Sequence, residues 1–192
     1  MKKLKAMMTY PKYRALVETL VEEGKSTGEV QSDDLTNYSF LNNKRMQRLD
    51  KKGVVPEEYV EKIKQFNRPV EWIVLTESWC GDAAQILPYI NKVADLNDHI
   101  DLKIALRDEH LELMDAHLTN GGRAIPKLIM RDKDTKEVLD TFGPRPSEAT
   151  KMVEAYKNTY GALTPEFKKD LQIWYTKNKG ENAINDLVSL LD

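Results

Sequence analysis

The stretch "TESWCGDAAQILPYI" spans residues 76–90 and holds Cys80, the only cysteine of the chain. The run before it, "VEWIVLT" at 70–76, is apolar and β-branched on both sides of the pleat, which is typical of a strand buried between layers. Apolar side chains after it repeat at helical spacing: Ala83, Ile86, Leu87, Ile90, Val93 and Ala94. The stretch predicts a buried strand, a turn that carries the thiol, and a helix.

The segments that follow predict three more strands. "HIDLKIALRD", at 99–108, alternates apolar and polar residues, and its short connection to the first strand favours a right-handed parallel crossover. "KLIMR" at 127–131 and "EVLDTFG" at 137–143 are apolar runs separated by the polar "DKDTK", which predicts an antiparallel hairpin. The sheet is therefore expected to be mixed.

Helical patterns flank this region on both sides. Residues 1 to about 68 show helical spacing, and Ser39 or Asn37 is a candidate cap for a helix that ends near Gly53. The basic side chains of that helix are interpreted as a solvated face: Lys44, Arg45, Arg48, Lys51 and Lys52. After the hairpin, Ser147 is expected to cap one helix and Thr164 with Pro165 to open another, followed by a terminal amphipathic segment.

Size and composition limit the class of protein. The chain has 192 residues, 41% hydrophobic and 31% charged, enough for the core of one domain with an appendage. A formal net charge of -2 gives no electrostatic reason to expect a nucleic-acid or membrane partner. Polar residues interrupt the N-terminal segment, so a signal peptide is not expected. One cysteine allows no internal disulfide, and a cytoplasmic location is expected.

The order of these elements resembles the thioredoxin fold over about residues 68–160. Four features carry the resemblance, in the right order and at suitable distances: Trp79-Cys80-Gly81 at the strand-to-helix turn, Pro88 within the helix, Ile125-Pro126 before the hairpin, and Gly143 after the last strand. The chain looks like bacterial thioredoxin family proteins with helical extensions, some of which are labelled thiol-disulfide isomerases.

The resemblance implies a three-layer α/β/α domain with a mixed sheet at 68–160, a helical N-terminal extension at 1–67 and a helical C-terminal tail at 161–192 that packs on the domain. It also implies that the Ile125–Pro126 peptide bond is cis, against a base rate of about 5–6% for such bonds. The backbone of Ile125 would then lie beside the sulfur, with its N–H and C=O available to an extended substrate chain.

The position of Cys80 has its own physical consequence. A thiol in the first turn of a helix faces unpaired N–H groups, which favour the thiolate and lower its pKa. Asp82 opposes this effect through its negative charge. The polar neighbours Ser78, Gly81 and Asp82 favour an exposed sulfur, and the net expectation is a lowered pKa.

The sequence departs from the family at two positions. Ala83 stands where thioredoxins carry the resolving cysteine, and Val74 stands where they carry a buried acid on the strand. Cys80 would therefore need an outside thiol, such as glutathione or a cysteine of a partner protein, to complete a disulfide exchange. Two functions remain open: a monothiol oxidoreductase or isomerase that acts on protein disulfides or small thiols, and a redox-silent module that binds a peptide or partner.

Several further residues are candidates with alternative roles. Glu77 and Asp82 could relay protons, and Trp79 could be a binding platform or a packing residue. Arg123 could hold an anionic group such as a glutathione carboxylate, or be an ordinary surface charge. The histidines at 99, 110 and 117 lack ligand spacing, so neither a metal nor a cofactor is expected. The candidate site consists of Cys80 as nucleophile with Trp79, Gly81, Asp82, Arg123, Ile125 and Pro126.

Overall fold

The central strand of the sheet is β1, Val70–Thr76, all of whose residues are buried in a computed structural model that describes residues 6–192. The first five residues of the predicted helical extension at 1–67 lie outside the described part of the chain. β1 pairs in parallel with β2, Ile100–Leu106, and antiparallel with β3, Lys127–Asp132. β3 pairs antiparallel with β4, Val138–Phe142, so the strand order is β2-β1-β3-β4. The predicted parallel crossover and hairpin are confirmed.

Helices account for the rest of the regular structure. They are α1 Tyr10–Glu22, α2 Asp33–Lys52, α3 Glu57–Gln65, α4 Gly81–Ala94, α5 Leu111–Asp115, α6 Ser147–Tyr160, α7 Pro165–Asn178 and α8 Glu181–Ser189, with a short 3₁₀ turn at Arg107–Glu109. α4 connects β1 to β2, as the parallel crossover requires. The α/β class with a mixed sheet and flanking helices is confirmed. Within residues 6–192, no helix is both long and apolar enough to cross a membrane.

Two helix starts differ from the prediction. α2 begins at Asp33, because the Ser32 hydroxyl accepts a hydrogen bond from the Leu35 N–H at 3.2 Å. Ser39 is instead fully buried inside the helix, where its Oγ lies 2.7 Å from Ser78 Oγ. α6 starts at Ser147 itself, with no side-chain cap. Thr164 does cap α7, since its Oγ1 accepts from the Phe167 N–H at 3.2 Å.

The helices before and after the sheet both pack on α4. α2 contacts α4 on one side, and α8 contacts both α4 and α3 on another. Tyr89 of α4 is buried, and its ring lies against the backbone of Gly180, which begins α8. α4 is thereby packed against chain segments from both ends of the sequence.

Candidate functional site

Cys80 is the N-cap residue of α4. Its Sγ accepts a hydrogen bond from the Ala83 N–H at 3.4 Å, which is the contact expected of a thiol at a helix N-terminus. The S–H group donates to the carbonyl oxygen of Ile125 at 3.3 Å. Only 8% of Cys80 is exposed, so the expectation of an exposed sulfur is wrong. The sulfur is held between the helix and the loop before β3.

Burial reverses the expected acidity of this thiol. The pKa of Cys80 is raised to about 12, first because the site is desolvated and then because the Asp82 carboxylate repels a thiolate. The backbone N–H groups of Ala83 and Asp82, together with Arg145, pull the pKa down but do not compensate. The predicted net lowering is therefore wrong, because desolvation outweighs the helix N-terminus.

The loop that faces the sulfur has the predicted backbone. The Ile125–Pro126 bond is cis, which confirms the expectation drawn from the resemblance. Gly143, at φ +104°, packs directly on this loop, and a Cβ at that position would collide with the carbonyl oxygen of Pro126. A second cis bond, Gly143–Pro144, was not foreseen in the sequence. Pro88 lies inside α4, as expected.

Asp82 takes part in a partly buried ion pair. Its two carboxylate oxygens accept from Arg145 Nη2 and from the Tyr175 hydroxyl, each at 2.9 Å. Burial raises the pKa of Asp82, and the arginine and the tyrosine oppose that rise. Sequence reasoning missed both partners, because they lie 63 and 93 residues away along the chain and carry no local motif.

The N-terminal extension holds the loop that carries Cys80. The Ser78 hydroxyl accepts from the Thr27 N–H at 2.9 Å, and Ser39 Oγ lies within 2.7 Å of it. The Asn42 side chain donates to the Ser78 carbonyl at 2.9 Å. All four residues are buried. Residues of the N-terminal extension therefore contact the loop that carries Cys80.

Trp79 and Glu77 have fixed surroundings next to this loop. The Arg107 guanidinium lies over the Trp79 ring, 4.9 Å from its centroid. Glu77 is fully buried, and its Oε1 accepts from the Asp108 N–H at 2.9 Å. Burial raises the pKa of Glu77. With no exposed atoms, Glu77 is poorly placed to exchange protons with solvent.

Two candidate site residues remain, Arg123 and Gly81. Arg123 is half-exposed and forms a paired contact with Asp115, at 2.6 Å and 2.8 Å, so its guanidinium is already engaged. Gly81 starts α4, and a Cβ there would lie 3.5 Å from Gln172 Nε2. Among the described residues, no cluster of three or more His, Cys, Asp or Glu side chains is placed to hold a metal ion.

The fold and the thiol beside a cis-proline define a thioredoxin-fold protein. A sequence model of the family described as Thioredoxin matches residues 28–157, which is more than half of the chain. The chain belongs to the thioredoxin family. That match begins inside the helical N-terminal segment, so α2 and α3 fall within the matched region.

Solved structures show the same architecture. A protein of unknown function from Pseudomonas aeruginosa is 19% identical, with a TM-score of 0.60 over 96% of this chain and 97% of that one. The crystal structure of an HIV epitope scaffold is 18% identical, with a TM-score of 0.55 over 95% of this chain and 97% of that one. At these identities the likeness concerns the fold alone. No curated protein matches the sequence.

Proposed function

We propose that this thioredoxin-family protein is a binding module in which Cys80 stays protonated and does not turn over disulfides. The observation that carries the proposal is the buried S–H group donating to the Ile125 carbonyl. With a pKa of about 12, roughly one molecule in 100,000 would hold a thiolate at pH 7. Disulfide exchange requires the thiolate, and Ala83 supplies no second thiol to complete it.

The ligand we propose is a peptide in extended conformation. The backbone N–H of Ile125 makes no hydrogen bond to another residue of 6–192, so it can pair with the main chain of a docked strand. The Ile125 carbonyl is occupied by the Cys80 S–H, which leaves one main-chain contact where the resemblance implied two. Trp79, partly exposed beside this loop, supplies an aromatic surface.

A second candidate function is monothiol exchange with a protein disulfide or with glutathione disulfide. It is favoured by the Ala83 N–H at 3.4 Å from the sulfur and by Arg145, both of which lower the thiol pKa. In this reaction the Cys80 thiolate attacks one sulfur of the disulfide, the old S–S bond breaks, and the other sulfur leaves as a thiolate. A second thiol from outside, such as glutathione, then attacks the mixed disulfide and releases Cys80 reduced.

The two functions differ in the chemistry of Cys80. We expect the rate of alkylation by iodoacetamide to rise only above about pH 10, and glutathione disulfide to leave no adduct detectable by mass spectrometry, because the thiol is buried and protonated. An alkylation midpoint below the ordinary thiol value of about 8.5, with a glutathione adduct, would establish the second candidate instead.

Peptide binding supplies an independent test. Calorimetry with carboxymethylated insulin B chain as the probe should show saturable binding that Cys80→Ser retains and Trp79→Ala weakens. Trp174→Ala, which changes a tryptophan of α7, is the matched control and should bind normally. Absence of binding by the unaltered protein, or its loss in Cys80→Ser, would contradict the proposal.

A cysteine at Ala83 checks the geometry of the site. Cys80 is the N-cap of α4 and Ala83 its third residue, so oxidised Ala83→Cys should form an internal disulfide and lose both free thiols. Ala84→Cys, equally buried at 1% exposure but one residue further round the helix, should keep both thiols. Two free thiols in oxidised Ala83→Cys would show that the site does not have thioredoxin geometry.

A further inference from the structure

An open cavity of about 580 Å³, most of whose lining side chains are exposed, lies between α2 and α7, next to α4. Its volume is in the range of small-molecule sites, about 300–1,000 Å³. Five cationic side chains line it: Lys44, Arg45 and Arg48 from α2, and Lys169 and Lys177 from α7. Four of the five basic side chains of α2 that the sequence assigned to a solvated face are exposed, namely Lys44, Arg48, Lys51 and Lys52. Lys44 and Arg48, together with the partly buried Arg45, also line one wall of this site.

No acidic side chain balances this charge. None of the residues that line the cavity is Asp or Glu. None of its five cations forms an ion pair within residues 6–192, although the Lys44 ammonium lies over the Phe40 ring, 4.2 Å from its centroid. By contrast, Arg14, Arg68 and Arg131 each pair with a carboxylate. Like charges held together in this way repel one another, and an anion that enters the cavity would remove that repulsion.

Arg45 is oriented by the protein before any ligand binds. Its Nη1 donates to the Asn42 side-chain oxygen at 2.8 Å, and the Asn42 amide in turn donates to the Ser78 carbonyl. The side chain is half-buried, and its pKa is lowered first by desolvation and then by the charge of Arg48. A planar guanidinium fixed at one edge presents its remaining N–H groups in the geometry that suits phosphate oxygens.

We propose that this cavity binds a small, multiply charged phosphate compound. Five cations without a carboxylate exceed what a single carboxylate ligand would neutralise, whereas each phosphate group carries about 1.5 to 2 negative charges at pH 7, so a diphosphate can engage several of the cations at once. Leu41 and Ile173 add apolar wall, which an organic part of the ligand would contact. This inference does not rest on the chemistry of Cys80.

Calorimetric titration of the full chain tests the proposal with two probes, inorganic pyrophosphate and ADP, at one ionic strength of about 50 mM. We expect saturable one-to-one binding of at least one probe. Loss of one charge-assisted contact should weaken it by about tenfold or more in Arg45→Gln and in Lys169→Gln. Lys168→Gln is the matched control, because Lys168 is an exposed residue of α7 that does not line the cavity.

The two probes distinguish the sources of the phosphate. Tighter binding of ADP would assign an organic phosphate that also contacts Leu41 and Ile173, and equal affinities would assign the inorganic group; either result supports the proposal. If Arg45→Gln fails to fold, Lys169→Gln still tests the proposal, because Lys169 is exposed and its substitution should not disturb folding.

Three results would overturn the proposal. The first is no saturable binding of either probe, and the second is an equal loss of binding in Lys168→Gln. The third is tighter binding of poly-glutamate than of both phosphates, which would assign the surface to an acidic polypeptide.

Discussion

At Cys80 two effects of the same position oppose each other. The helix N-terminus favours a negative charge by up to about 2 kcal/mol in partly buried geometries. The rise of the pKa to about 12 corresponds to a net bias of about 4 kcal/mol against the thiolate. Desolvation and the Asp82 charge together must therefore outweigh the helix contribution, and desolvation is the larger of the two. The same residue in the same turn would be acidic only if water or a cation reached the sulfur.

Asp82 allows this balance to be measured. Asp82→Asn removes the negative charge that raises the Cys80 pKa and leaves Arg145 to act on the sulfur without a counter-charge, so the pKa should fall. The pH profile of iodoacetamide alkylation should move to lower pH. Arg145→Gln is the opposite control and should move it to higher pH. Profiles that coincide in both variants would mean that burial alone sets the acidity.

At the scale of elements, the sheet is joined across three strands by a buried carboxylate. Glu71 of β1 accepts from Lys103 of β2 at 2.7 Å and from Arg131 of β3 at 2.7 Å. Lys136, in the turn after β3, is a third donor at 3.1 Å. Burial acts to raise the Glu71 pKa, but the three donors outweigh it and hold the pKa at about 2.

This carboxylate predicts an acid-dependent loss of stability. Because the folded pKa of about 2 lies below the unfolded value of about 4.3, Glu71 contributes stability that is fully present above pH 4–5 and lost as the pH falls towards 2. The contribution is about 3 kcal/mol. Urea unfolding from pH 7 to pH 2 should show a steeper loss for the unaltered protein than for Glu71→Gln.

Glu137→Gln is the matched control for this experiment. It changes an exposed carboxylate of the β3–β4 turn that forms no ion pair within residues 6–192. Its pH dependence should match that of the unaltered protein. Parallel curves for all three proteins would show that the Glu71 ion pairs do not contribute to folding.

At the scale of the whole molecule, both ends of the chain meet at the start of α4. The Asn42 contact to Ser78 comes from the N-terminal extension, and the Tyr175 contact to Asp82 comes from the C-terminal tail. Gln172 also accepts from the Gln85 side chain at 2.9 Å. These contacts surround the thiol and form the basic cavity, so both features depend on how the tail packs.

Substitutions at two glycines can distinguish the stability lost through packing of the C-terminal tail from the stability lost through backbone strain. Gly180 and Gly161 both have positive φ, +81° and +78°, but only at Gly180 would a Cβ collide with the Tyr89 ring. Gly161→Ala should lose only the strain of a side chain at positive φ, about 1–2 kcal/mol. Gly180→Ala should lose that plus the cost of overpacking, about 2–5 kcal/mol in all. The free energy of unfolding in urea measures both.

Equal losses in the two variants would contradict the close packing of α8 on α4. If the double variant Gly180→Ala with Tyr89→Ala regains part of the free energy of unfolding that Gly180→Ala loses, the Tyr89 ring is confirmed as the obstacle. The smaller side chain at position 89 would leave room for the added methyl group.

Much of the sheet could be predicted because the sequence patterns that indicate its strands and its turn lie in short continuous stretches. The buried run at 70–76 and the polar turn at 132–136 each lie within a few residues, and the structure places a strand and a hairpin there. The start of α2 was misplaced, since Ser39 and Ser32 are both plausible caps and only the packing of Ser39 against Ser78 separates them. The approach of α7 to the basic face of α2 could not be predicted either, because the residues of the two helices that line the cavity lie more than 100 positions apart in the chain.

From the order of amino acids alone, one thiol could be placed between a buried strand and a helix, because periodicity is a local property, and the resemblance to thioredoxins placed Ala83 at the position of their resolving cysteine. The acidity of that thiol and the place where charge accumulates depend on the folded arrangement of the chain. Desolvation and unpaired cations depend on which distant segments cover a group, and here α2 and α7 approach the start of α4 from opposite ends of the chain.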